Sequence, residues 1–138
     1  MSEADKFQME QTVEAALQDL LAELAENPVI IDYKTIEEQA KNHPKLSELA
    51  EAIKFQQKQA VKFAHYGKPV AEQEAIKQAD ELMREFEDHP LVVTYRQRLI
   101  EANDLLQYVT NLIEKEVNIA LTLKFEDALT NYQSNEKE

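Results

Sequence analysis

The chain of 138 residues reads as all-α: about five helices, with long antiparallel helices forming an elongated helical hairpin or bundle that assembles into oligomers. Three observations predict this. Glycine occurs once and proline four times, too few turn residues for a multi-strand sandwich or barrel. Apolar residues recur at three- and four-residue spacing through most of the chain. Three dipeptides, Asn27-Pro28, His43-Pro44 and His89-Pro90, each read as a break followed by a new helix. Proline lacks an N–H and holds a helix-compatible φ, so it starts a helix well and displaces the residue before it from the α region.

The elements follow in order. The first helix spans about Glu3 to Glu26, with Val13, Leu17, Leu20, Leu21 and Leu24 on one face and acids near its start, where the helix dipole favours them. Asn27 is a natural N-cap for a second helix, about Pro28 to Lys41, whose apolar face is Val29, Ile30, Tyr33, Ile36 and Ala40. The third runs about Pro44 to Tyr66, with Leu46, Leu49, Ile53, Ala60, Val61 and Ala64 inward and Gln56 and Gln57 interrupting the row. Gly67 sits where a left-handed C-cap belongs. The short Gly67–Pro69 link makes the third and fourth helices antiparallel neighbours. The fourth, about Val70 to Asp88, turns Ala75, Ile76, Ala79, Leu82, Met83 and Phe86 inward. The fifth starts at Pro90 and reaches roughly Leu123. Residues 1–125 therefore read as one domain, and 126–138 as a polar, frayed tail.

The fifth helix carries the strongest pattern. Val92, Tyr95, Leu99, Ala102, Leu106, Val109 and Ile113 alternate three- and four-residue steps, the spacing of knobs-into-holes packing at a shallow crossing angle. Val92, Tyr95, Leu99, Leu106, Val109 and Ile113 are the candidates for packing or for an interface. Part of this row should pack against the third and fourth helices. A layer of long helices cannot cover both its faces, so part should meet another subunit.

Composition excludes several functions. A net charge of −12 repels phosphate backbones and disfavours sequence-independent nucleic-acid binding and anionic membrane surfaces. The chain has no cysteine, hence no disulfide, thiolate metal site or cysteine nucleophile. No apolar run approaches the ~18–20 residues that span a bilayer, and the start "MSEADKFQMEQTVEAAL" is not that of a signal peptide, which makes the cytoplasm the expected compartment. His43, His65 and His89 lie in no metal-ligand spacing and read as caps or surface groups. No phosphate loop, nucleophile elbow or metal-protease helix is present, so no catalytic, cofactor or metal residues are assigned. An enzyme would require a closed pocket with converging carboxylates or histidines.

One segment departs from the acidic background. Between Glu51 and Glu72 there is no acid, while Lys54, Lys58 and Lys62 share a helix face and Lys68 follows. That face is either solvated, answering the protein's own acids, or a docking strip for an acidic partner or RNA.

Residues 58–118 also resemble the YlbF/YmcA family, in particular its YmcA (RicA) branch. The resemblance is carried by "KQAV" at 58–61, "HY" at 65–66, "EAIKQ" at 74–78, "HPLVVTYR" at 89–96 and above all "NDLLQ" at 103–107. It implies a small all-α cytoplasmic protein that forms homo-oligomers or joins YlbF-like and YaaT-like proteins. It further implies a regulatory, non-enzymatic subunit acting with the endoribonuclease RNase Y in mRNA processing and in competence, biofilm formation and sporulation. Family members can carry C-terminal cysteines linked to an iron–sulfur cluster; this chain has none, so it can supply no thiolate ligand and that role is not carried over.

Overall fold

The computed structural model describes residues 2–137 and contains five α-helices, with no strand among the described residues. They are α1 (Glu3–Glu26), α2 (Pro28–Lys41), α3 (Pro44–His65), α4 (Pro69–Asp88) and α5 (Pro90–Glu136). Two compact units divide the chain. One spans residues 1–100, and the other, residues 101–138, holds the remainder of α5.

The helix starts follow from local chemistry. Ser2 caps α1 reciprocally: its hydroxyl accepts the Asp5 N–H at 3.2 Å, and the Asp5 carboxylate accepts the Ser2 N–H at 3.2 Å. The Ser2 hydroxyl also donates to the Asp5 carboxylate at 2.7 Å, and this bond first, then the Ser2 N–H, favours the ionised carboxylate and holds the Asp5 pKa below its ordinary value. Asn27 accepts the Val29 N–H at 2.9 Å and starts α2. His89 performs the same service for α5 through Nδ1, which accepts the Leu91 N–H at 3.1 Å. His43, the corresponding residue before α3, makes no such bond.

Gly67 adopts φ +65°, the left-handed conformation expected of it. The Lys68 N–H donates to the Phe63 carbonyl at 2.9 Å and the Gly67 N–H to Ala64 at 3.2 Å, closing α3 with a Schellman motif. This turn folds α4 back antiparallel on α3, and the two pack along one another. Their far ends are tied by Lys45 Nζ and a Glu85 carboxylate oxygen, 2.9 Å apart. That bond, first among the causes, raises the Lys45 pKa above its ordinary value.

The core is small. Leu46 and Leu49 of α3 and Val92 of α5 form its buried centre, with Ala40, Leu82, Phe86 and Leu91 packed partly buried around them. Towards the Gly67 turn, Ile53, Ala75 and Ala79 are also buried. The inward row of α3 differs from the expected one. Leu46, Leu49, Ile53, Gln56, Ala60 and Phe63 face inward to differing degrees, whereas Val61 is 71% exposed and Ala64 is exposed. The row keeps alternate three- and four-residue steps, and backbone geometry retains Gln56 on the inner face despite its polarity. Ile76 and Met83 of α4, expected inward, are exposed.

The fifth helix differs at its end. It runs on to Glu136, past the Leu123 boundary, because no glycine or proline follows Pro90. Polar composition in the last dozen residues leaves the helix solvated without breaking it. Thr130 and Ser134 hydroxyls donate to the carbonyls of Glu126 and Thr130, each at 2.9 Å, within the helical pattern.

Candidate interaction surfaces

The first turns of α5 and its remainder meet different surroundings. Within residues 1–100, Val92 is 6% exposed in the core. Tyr95 is half-buried, its ring 5.8 Å from that of Tyr33 on α2, and the two hydroxyls stand 3.5 Å apart. This hydrogen bond, followed by partial burial, pushes the Tyr33 phenol up to about 12. Leu99 is half-buried and lines a concave groove with Ala40, Leu46, Ala50, Phe86 and Val92. The groove encloses about 530 Å³, and Glu37, Lys41 and Arg96 lie among its lining residues. Its apolar surface is suited to contact with a side chain or helix rather than to proton transfer.

Beyond residue 100 the row is largely open to solvent. Ala102 is buried and Val109 half-buried, but Leu106 is 44% and Ile113 49% exposed. Leu112, Val117, Ile119, Leu123, Phe125 and Leu129 are exposed as well. A helix draws most of its stability from packing an apolar face, and beyond Ala102 most of the aliphatic surface of α5 is uncovered in the single chain. The same holds for α1. Within the first unit it packs on α2, and only Leu20 and Leu24 of its apolar row are half-buried. Met9, Val13 and Leu17 line a shallow groove together with Lys6, Glu10 and Glu14.

The lysine face lies on the outer side of α3. Lys54 pairs with Glu51 at 3.5 Å; Lys58 and Lys62 have no ion-pair partner among the described residues. Phe55, Val61 and Tyr66 are exposed beside them, and His65 packs edge-on against Tyr66 with ring centroids 5.5 Å apart. Sequence reasoning places Phe55 and Tyr66 beside the lysines but misses Val61, which it assigns to the core.

The histidines supply a feature that spacing alone does not show. Because α3 and α4 are antiparallel, the start of α3 and the end of α4 fall at one end of the hairpin. The His43 and His89 rings meet there edge to face, centroids 4.8 Å apart. His43 Nδ1 is buried without a hydrogen-bond partner. The two His-Pro dipeptides at the outer ends of a predicted hairpin were the available signal. The contact is a corner joint between helix starts. No group of three or more His, Asp or Glu among the described residues is placed to hold a metal, and no described helix is long and apolar enough to cross a membrane.

Residues 5–118 match the family described as "Control of competence regulator ComK, YlbF/YmcA". The chain is also 34% identical over 94 residues to a Bacillus subtilis (strain 168) protein described as "Uncharacterized protein YmcA". That alignment covers 68% of this chain and 66%, just under two thirds, of the relative's length.

Proposed function

The chain belongs to the YlbF/YmcA family, related to YmcA and linked to control of the competence regulator ComK, and from that premise we propose that it is a non-enzymatic adaptor. In this reading it is a cytoplasmic regulatory subunit that binds YlbF-like and YaaT-like proteins, or further copies of itself, in RNase Y-dependent mRNA processing. Competence, biofilm formation and sporulation-type development would depend on it through that assembly.

The observation that carries the reading is the uncovered aliphatic surface of α5 beyond Ala102, including Leu106, Leu112, Ile113, Val117 and Ile119. Burying such a row contributes about 25 cal/mol per Å² before the costs of association are met. The residues on it are hydrocarbon, and what they offer a partner is area and shape.

The test is affinity capture from the native cytoplasm with the full chain and its Leu106→Asp/Ile113→Asp variant. The wild-type chain should recover YlbF-like and YaaT-like proteins, and the variant should lose them while keeping its helical content. Equal recovery by both chains would remove α5 as the binding surface. Recovery of neither protein by the wild type would remove the adaptor reading.

A second reading rests on Lys58 and Lys62, which stand without ion-pair partners beside the exposed rings of Phe55 and Tyr66. Lysines interleaved with aromatics can bind single-stranded RNA by charge and stacking. Binding through Lys54, Lys58 and Lys62 would weaken steeply with salt and with lysine-to-glutamate changes. No binding at low salt removes this reading.

A further inference from the structure

We propose that the basic tip of the α3–α4 hairpin is a docking site for α1 of a second copy of this chain. The proposal rests on two surfaces that are each uncovered and that match one another in charge, spacing and apolar content.

The tip comes first. Residues 52–71 contain no acid, and Lys54, Lys58, Lys62 and Lys68 supply all the formal charge. Lys58 and Lys62 are exposed with no ion-pair partner among the described residues, and Phe55, Val61, Tyr66 and Val70 present exposed apolar surface alongside. A purely solvated face would not need this much hydrocarbon. A surface for a polyanion alone would gain little from Val61 and Val70, and the net charge of −12 opposes a polyanion's approach.

The complement is α1. It carries Glu3, Asp5, Glu10, Glu14, Asp19, Glu23 and Glu26 against the single base Lys6. Its apolar row is uncovered: Met9, Val13 and Leu17 are all exposed, and Lys6, Glu10 and Glu14 line the same shallow groove, two acids to one base. It approaches neither α3 nor α4 of its own chain.

The spacing also agrees. Glu10 and Glu14 are four residues apart, as are Lys58 and Lys62. Four residues rise about 6 Å along a helix, so two helices laid side by side bring both acids opposite both lysines at once. Phe55 and Val61 flank the lysine row of α3 on opposite sides, so Met9, Val13 and Leu17 meet one of these two flanks, and the lysine stems extend the apolar contact while their ammonium groups reach the carboxylates. A two-fold arrangement would form the contact twice.

This inference deepens the adaptor reading by naming a self-contact, but it uses residues separate from the α5 row, so the two can fail separately. The experiment measures self-association of the full chain by sedimentation across a range of protein and salt concentrations. It compares wild type, Lys58→Glu/Lys62→Glu, Glu10→Lys/Glu14→Lys, and the chain carrying all four changes. All four positions are exposed, and circular dichroism checks that helical content is kept. Each pair alone should weaken self-association about tenfold or more, since two attractions become repulsions, and the fourfold change should restore it to near the wild-type constant. Weaker association at higher salt should accompany the wild type and the fourfold variant alike. The proposal is overturned by a wild type that stays monomeric, by lysine reversals that acid reversal does not rescue, or by single-stranded RNA binding at the tip with self-association unchanged. Loss of partner capture by the Leu106→Asp/Ile113→Asp variant with charge rescue intact would support both readings. Charge rescue with no capture by any chain would support this one alone.

Discussion

Truncating Leu49 to alanine should cost the first unit about 3 kcal/mol, and truncating Leu106 should cost the dilute chain about 1.3 kcal/mol. The figures follow from burial. Leu49 is 3% exposed, at the centre of the cluster formed with Leu46 and Val92. Leucine to alanine removes three carbons, and at ~0.8 kcal/mol for each buried methylene the transfer loss is about 2.4 kcal/mol. A cavity adds to this, within the usual range of ~2–5 kcal/mol. The core is thin and the groove beside it is open, so neighbours can partly collapse and the value should stay toward the lower end. Leu106, 44% exposed, has already lost nearly half of that transfer term in the unassembled chain. Urea unfolding followed by circular dichroism measures both, repeated at several protein concentrations. The cost of Leu49→Ala should hardly change with concentration. The cost of Leu106→Ala should grow as the chain assembles, because a partner that binds only the folded state adds stability by mass action. A Leu106→Ala cost equal to that of Leu49→Ala at the lowest concentration would refute the reasoning, since it would place Leu106 in a core the single chain already possesses.

Three further outcomes are expected. Gly67→Ala should destabilise by about 1 kcal/mol with no packing contribution, since φ is +65° and nothing lies within 4 Å of the added carbon; Gly67→Asn should cost less, and thermal melting distinguishes them. His89→Ala should cost about 1 kcal/mol by removing the acceptor of the Leu91 N–H, and His89→Asn should recover part of it in the same assay. The Tyr33 phenol is raised from 10.0 to about 12 by Tyr95, so the unfolded chain releases this proton first and stability should fall as pH rises from about 10 to about 12. Tyr95→Phe should bring the Tyr33 titration, read from phenolate absorbance, back toward 10 and flatten that fall.

Helix starts were the most legible part of the fold. Asn27-Pro28, His43-Pro44 and His89-Pro90 place α2, α3 and α5 to the residue, because proline's restrictions are local and owe nothing to tertiary context. Gly67 was legible for the same reason. What sequence could not resolve was which side of a marginal stripe turns inward. Val61 and Phe63 of α3 are both apolar, and the choice between them depends on continuing the Leu46–Leu49–Ile53 row through a glutamine, which hydrophobicity alone discourages. The expected end of α5 near Leu123 rests on the polarity of the residues that follow, whereas a helix without a breaker continues to Glu136. The α5 row was found as a pattern, but its division near Ala102 into a packed start and an exposed remainder has no signature in spacing. The same three-four alternation serves a helix covered by its own chain and one covered by another. The His43–His89 contact depended on the antiparallel hairpin and became visible only once both helix ends were placed.

The most direct test of the account is amide hydrogen exchange across residues 103–136, followed from dilute chain to assembled complex. If the exposed α5 row awaits a covering partner, these amides should exchange quickly in the dilute chain and become protected as other copies or captured partners bind, while those around Leu46 and Leu49 stay protected throughout. Strong protection of 103–136 in the dilute monomer, unchanged by concentration or partner, would contradict it.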